Sequence, residues 1–186
     1  IFSDVTPLAK KHNFELGKFD QGALDAIRKI SKEGELFALP YGVNFNALFY
    51  NKDIFDNFGV AYPPDGMTWD EAIELGRDLT RYIDGVQYKG LDEEQIARPL
   101  FPLSPNLVDP HTDEVMADME IYRRAFEVAG KIYDIPGNTY ERGFTKEFLE
   151  DRNLAMITTV NIFGHLRNAE GFNWDMAQFP SYPDLP

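Results

Sequence analysis

The chain has 186 residues, 44% of them hydrophobic, and sets 18 Lys and Arg against 31 Asp and Glu for a formal charge of −13. That is apolar matter enough for the core of one ordinary domain or two small lobes, with a charge that repels nucleic acid and anionic membrane surfaces. Lack of cysteine excludes disulfides, thiolate metal sites and a cysteine nucleophile, and no apolar run approaches the ~18 residues that a spanning helix needs.

The sequence opens on Ile1 and stops at Pro186 inside FPSYPDLP, and it is expected to be an excerpt of something longer, so a missing signal peptide carries no information. Residues 1–35 read as a surface segment and a helix, with Leu24, Ile27 and Ile30 at three-residue steps and Gly34 as its stop. Residues 36–51 read as one or two strands bent at Gly42, with Tyr41, Val43 and Phe45 on one parity and Asn44, Asn46 and Leu48 on the other. Pro40 lacks an N–H, which puts the first part at an edge or outside the sheet. Asp53 is expected to cap a brief helix that stops at Gly59.

Thr68 and Glu71 form a capping box, and Trp69, Ala72, Ile73, Gly76, Leu79 and Ile83 follow as an apolar stripe that Asp84-Gly85 ends. A strand is expected over 86–90, then an uneven loop with a short helix near 93–98 and prolines at 99, 102 and 105. Val115, Met119, Tyr122, Phe126, Ala129 and Tyr133 predict a helix over 113–133, and Phe144, Phe148 and Leu149 another. LAMITTV, residues 154–160, reads as a buried strand, NIFGHLRN as a helix start and WDMAQFPSYP as a last strand. Strands alternating with helices argue for an α/β layer built from crossover units.

Most catalytic signatures are missing. Asp92, Glu93 and Glu94 are the densest acidic cluster and read as a solvated helix start. His12, His111 and His165 have no metal-ligand spacing, with His165 expected in a surface or capping role, and DPHTDE at 109–114 lacks the calcium-loop pattern. Neither a P-loop, nor a dinucleotide fingerprint, nor G-x-S-x-G occurs, and no cofactor is implied. The 15 Phe, 9 Tyr and 2 Trp, with amides near strand ends, suit a neutral polyhydroxylated ligand, whose C–H faces stack on rings while its hydroxyls pair with amides; aromatics at helical or strand spacing are more often core.

The segment GELFALPYGVNFNALFYNKDIFDNFGVAYPPDGMTWDEAIELGRDLT, residues 34–80, resembles the hinge-crossing segment of family 1 extracellular solute-binding proteins of ABC importers. Pro40, Asn44, YNKD at 50–53 and TWDE at 68–71 carry the resemblance, and NLAMITTVNIFG and WDMAQFPSYPDLP continue it. It implies an α/β, type II periplasmic-binding-protein-like lobe with a mixed sheet flanked by helices, a fragment of a two-lobed protein. Residues 1–45 would end the first lobe, 46–177 form the second, and 178–186 make the second hinge crossing.

The family's role would be capture of a small solute, expected to be a sugar or oligosaccharide, in the interlobe cleft for delivery to an ABC permease, outside the cell or in the periplasm. A membrane would be met only through a lipid anchor beyond this excerpt. The ligand contacts expected are Tyr41, Asn44, Asn46, Arg98, Thr159, Asn161 and Phe163. Four of them have a plainer alternative: backbone capping for Asn44, core for Tyr41 and Phe163, surface for Arg98. Asn161, Ile162 and Phe163 stand where many sugar binders have tryptophan, and Asn44 stands where some relatives have an acid; both favour a neutral or longer ligand. A carbohydrate hydrolase with a carboxylate pair and a surface adaptor domain remain the alternatives.

Overall fold

The structure, a computed structural model, describes residues 2–42, 44–105, 107–109, 112–116, 120–140, 143 and 145–185. Two compact units divide the chain, Ile1–Asn44 and Phe45–Pro186.

In the first unit, Pro7 opens α1 (Thr6–Lys11), where a missing N–H costs nothing. The Asp4 carboxylate accepts from Thr6 N at 2.9 Å and Leu36 N at 3.2 Å, which ties the helix start to the unit's far end. Helix α2 (Gln21–Arg28) starts on Asp20, whose Oδ1 accepts from Ala23 N at 2.9 Å, and buries Leu24. The strand expected from residue 36 does not form among the described residues before Asn46. Pro40 removes a ladder donor there, and Val43 lies outside the described residues.

The second unit holds a five-stranded mixed sheet in the order β2-β3-β4-β1-β5. Its strands are β1 (Asn46–Asn51), β2 (Arg81–Ile83), β3 (Val86–Asp92), β4 (Leu154–Val160) and β5 (Trp174–Gln178). Strand β3 runs parallel to β4, and β1 runs antiparallel to both β4 and β5. Helices α3 (Lys52–Phe58), α4 (Trp69–Leu79), α5 (Glu120–Tyr133) and α6 (Phe163–Leu166) complete the unit. The LAMITTV strand is buried on nearly every residue, the pattern of a strand covered on both faces. One face packs Leu48, Tyr50, Phe55, Trp69, Ile73 and Ile132; the other packs Ala47, Phe49, Phe148, Ile157 and Phe172.

Several local expectations are corrected. Asn51, not Asp53, caps α3 by accepting from Asp53 N at 3.1 Å; Asp53 sits in the first turn, where a carboxylate suits the helix dipole. The capping box of α4 forms as read, but the helix ends at Leu79. Asp84 and Gly85, at φ 51° and 83°, instead turn β2 into β3, because two successive left-handed residues match the twist of a tight hairpin. Among the described residues helix α5 runs from Glu120, and Asp113 and Val115 are not helical. Asp113 has φ 60° and Val115 bridges back to Val108, a reversal that withdraws both from the helical period; Met119 lies outside the described residues. Thr145–Glu150 is a single π turn, and Phe144 lies outside the described residues.

Helix α4 meets β3 at a glycine pair. A Cβ on Gly90 would stand 1.8 Å from the Gly76 carbonyl oxygen, so only glycine permits this approach. Around it, Lys89 Nζ reaches Glu147 Oε1 at 2.5 Å and the Thr139 carbonyl at 2.8 Å. The Asn138 amide donates to Leu91 O and Ile132 O and accepts from Gly90 N. This polar seam, in which the Lys89, Asn138 and Glu147 side chains are buried, holds β3 to the segment that follows α5.

Candidate functional site

Parallel β3 and β4 bring their carboxyl ends to one edge of the sheet, and antiparallel β1 brings its amino end to the same edge, with Asn46 opposite Val160. Carboxyl ends of strands are where α/β sheets place ligands. Here the topology gathers Asn46, Thr159 and the turn after Asp92.

That turn is tight. Asp92 accepts from Glu94 N at 2.5 Å, Glu93 O accepts from Gln95 N at 2.6 Å, and Glu94 sits at φ 62°, a conformation side chains disfavour. The fold turns Glu94 back toward the sheet, where its Oε2 accepts from Thr159 Oγ1 at 2.7 Å and Arg98 Nε at 3.0 Å, and pairs with Arg98 Nη2. Arg98 also donates through Nη1 to Asn46 Oδ1 at 3.0 Å and stacks 5.3 Å from the Phe101 ring centroid. Among the described residues the Asn46 NH2 has no partner, so the amide presents two donors from a cluster whose charges cancel.

Three of the seven expected contacts, Asn46, Arg98 and Thr159, therefore meet in one cluster. Arg98 is not a surface residue: it is 5% exposed, because Glu94 neutralises it within the fold. Asn161 is exposed, accepts from Phe163 N at 3.1 Å and donates its own N–H to Phe45 O at 3.1 Å, so it caps the first turn of α6. Phe163 is half-buried, with its ring 5.6 Å from Phe45, 6.1 Å and edge-on to Phe49, and 5.9 Å from Trp174. Tyr41 and Asn44 lie in the first unit, both exposed.

The sequence reading missed Glu94, the hub of the cluster, and misjudged its neighbours. Asp92 and Glu93 are 5% and 0% exposed, so DEE is not a solvated helix start. Burial pushes the Asp92 carboxyl up to about 6 and the Glu93 carboxyl up to about 7, and drives the Tyr133 phenol upward as well. The available signal was position: three acids at the carboxyl end of a strand in an α/β pattern. His12 and His165 are exposed, and His111 lies outside the described residues. Among the described residues no three His, Cys, Asp or Glu side chains are grouped to hold a metal, and no helix is long and apolar enough to cross a membrane.

Residues 1–86 match the sequence family described as bacterial extracellular solute-binding protein. Among solved structures, the chain is similar to the ABC substrate-binding protein Lmo0181 of Listeria monocytogenes in complex with cycloalternan, at 18% identity and TM-score 0.78 over 100% of this chain and 49% of that one. It is similar to UgpB of Mycobacterium tuberculosis in complex with glycerophosphocholine, at 17% identity and TM-score 0.74 over 99% of this chain and 47% of that one. A sugar transporter of Rhizobium etli in an open conformation matches at 21% identity and TM-score 0.71, over 100% and 49%. The chain thus spans about half the length of the structures it matches. The fold is that of a type II periplasmic-binding-protein lobe, and the resemblance drawn from residues 34–80 holds.

Proposed function

We propose, from the premise that this chain is a piece of a bacterial extracellular solute-binding protein, that the whole protein captures a neutral sugar or oligosaccharide between two lobes and hands it to an ABC permease. Residues 1–45 close the first lobe, 46–177 form the second and 178–186 return across the hinge; the division of the chain after Asn44 supports this reading. The observation that carries the ligand assignment is the Asn46–Arg98–Glu94–Thr159 cluster. Its guanidinium is already neutralised by Glu94, and its spare donors belong to an amide, which suits hydroxyl groups better than phosphate or carboxylate. Tyr41, Asn44, Asn161 and Phe163 join Asn46 as the contacts we assign to the ligand, while the buried Arg98 and Thr159 hold Asn46 and Glu94 in place behind them; the rings offer stacking faces and the amides hydrogen bonds.

Lobe closure is the mechanism: contacts from both lobes favour the closed state, and the hinge strands take up the rotation. Hydrolysis fits the side chains poorly. Glu94 is engaged by Arg98 and Thr159, and Glu93 is fully buried, so neither reaches a glycosidic bond. A thermal-shift screen of mono- and oligosaccharides on the full-length protein tests the reading, because a ligand that binds only the folded state raises its melting point. One saccharide should raise it by several degrees, and Asn44→Ala should weaken that ligand's affinity in calorimetry. A screen in which no saccharide moves the melting point would defeat the proposal.

A further inference from the structure

Four carboxyl groups gather around the carboxyl end of β3: Asp92, Glu93 and Glu94 from the chain itself and Glu147 from the π turn. Two described cations pair with them, Arg98 with Glu94 and Lys89 with Glu147. Asp92 and Glu93 are left adjacent, without an ion pair among the described residues. Asp92 still accepts a backbone N–H, but both oxygens of Glu93 are buried with no hydrogen-bond partner. The Tyr133 hydroxyl on α5 is aimed at Glu93 and favours its charged form, which burial outweighs, but it stops short of a well-formed hydrogen bond, and Tyr140 stacks edge-on against Tyr133 with centroids 5.4 Å apart. The groups around Glu93 are thus a phenol and a second carboxyl, with Lys89 and Glu147 acting on Asp92 behind them. A carboxylate in such surroundings is far costlier than a neutral carboxylic acid.

We infer that Glu93 is a proton-binding site built in behind the Asn46–Arg98–Glu94–Thr159 cluster, holding its proton in the folded protein at mildly acid pH and releasing it to solvent as the pH rises through neutrality. Only the carboxylic O–H breaks, and the charge stays on the carboxylate. Glu93 lies between Asp92 and Glu94, so its ionisation acts directly on the turn that aims Glu94 at Arg98 and Thr159. The link to ligand binding rests on the function proposed above; the proton site itself does not. The sign follows from burial: a carboxyl raised from 4.5 to about 7 in the folded state adds stability that is fully present below 4.5 and is lost as the pH climbs through about 7.

Full-length protein, its Glu93→Gln variant and its Asp92→Asn variant, melted between about pH 5.5 and about pH 8.5, test this. The wild-type midpoint should fall by roughly 5 °C more over that range than the Glu93→Gln midpoint; parallel curves would overturn the inference. Infrared spectroscopy gives a second readout in the native chain. A protonated buried carboxyl band present at about pH 6 and gone at about pH 8.5, retained in Asp92→Asn, is expected; its absence from the wild type refutes the site even where Glu93→Gln does not fold. A saccharide identified by the thermal-shift screen should bind more tightly to wild type at the lower pH and equally at both pH values to Glu93→Gln. Failure to find a saccharide leaves the melting and infrared results standing, so the two readings fail separately.

Discussion

Two buried ion pairs lie along the carboxyl half of β3 and the turn after it, a closed end at Lys89 and an open end at Arg98, and the two differ in what surrounds them. Lys89–Glu147 is closed on both sides, each side chain 6% exposed, with the lysine also bonded to the Thr139 carbonyl beside the Asn138 clamp. Arg98–Glu94 is tight on the arginine side at 6%, but 16% open on the glutamate side, and it ends on an amide with donors to spare. Similar chemistry thus serves two purposes: at one end the polar groups satisfy each other and fix the sheet, while at the other they are held in place with capacity left over. Lysine suits the first as a compact point charge, and arginine suits the second because its planar fork addresses Glu94 and Asn46 at once.

The closed end should break hardest. Gly90→Ala forces a methyl into the Gly76 carbonyl and should cost more than about 4 kcal/mol, at the extreme of single substitutions, visible as lost soluble expression or a collapsed denaturant midpoint. Lys89→Met strands the buried Glu147 and should cost about 3–5 kcal/mol, whereas the double change Lys89→Met, Glu147→Leu should recover most of it, since apolar replacement of a buried pair is often neutral. Urea melts of the single and double variants decide; a double variant no more stable than the single would mean that the pair does more than balance its own burial.

At the open end the expected effects shift from stability toward binding. Arg98→Lys keeps the charge and loses the fork, so it should cost about 1–2 kcal/mol in stability while lowering ligand affinity several-fold in calorimetry. Equal losses at both ends, with affinity untouched, would erase the distinction between them.

The contrast was only partly legible in the sequence. Strand β4, the capping box of α4 and the strand from Trp174 could be read because their patterns are local: a run of apolar residues, a Thr-x-x-Glu spacing, a turn signal before and after. Residues 36–44 alternate as a strand should, but the described residues among them form none, because a strand requires a neighbour to bond and Pro40 withholds a donor. Asp92–Glu94 looked solvated because acidity is a surface cue; what buries them is the parallel register of β3 with β4, which no local pattern encodes. Asn46, Arg98 and Thr159 were named through family resemblance, yet the residue that joins them, Glu94, came only from topology: positions 46, 94, 98 and 159 are neighbours because β1 is antiparallel and β3 parallel to β4.

The smallest effects give the sharpest test. Asn46→Ala removes one hydrogen bond from a half-buried amide, and Thr68→Ala removes the Thr68 side chain's bond to Glu71 N in the capping box of α4. Each should cost about 1 kcal/mol of stability, so melting alone cannot tell them apart. Affinity can: the Asn46 amide is the cluster's unspent donor, and its loss should weaken saccharide binding by roughly tenfold, the worth of one good hydrogen bond, while the cap variant binds as wild type. An Asn46→Ala protein with unchanged affinity would make the open end a second structural joint, no different in kind from Lys89 and Glu147, and would move the search for the ligand's contacts away from this edge of the sheet.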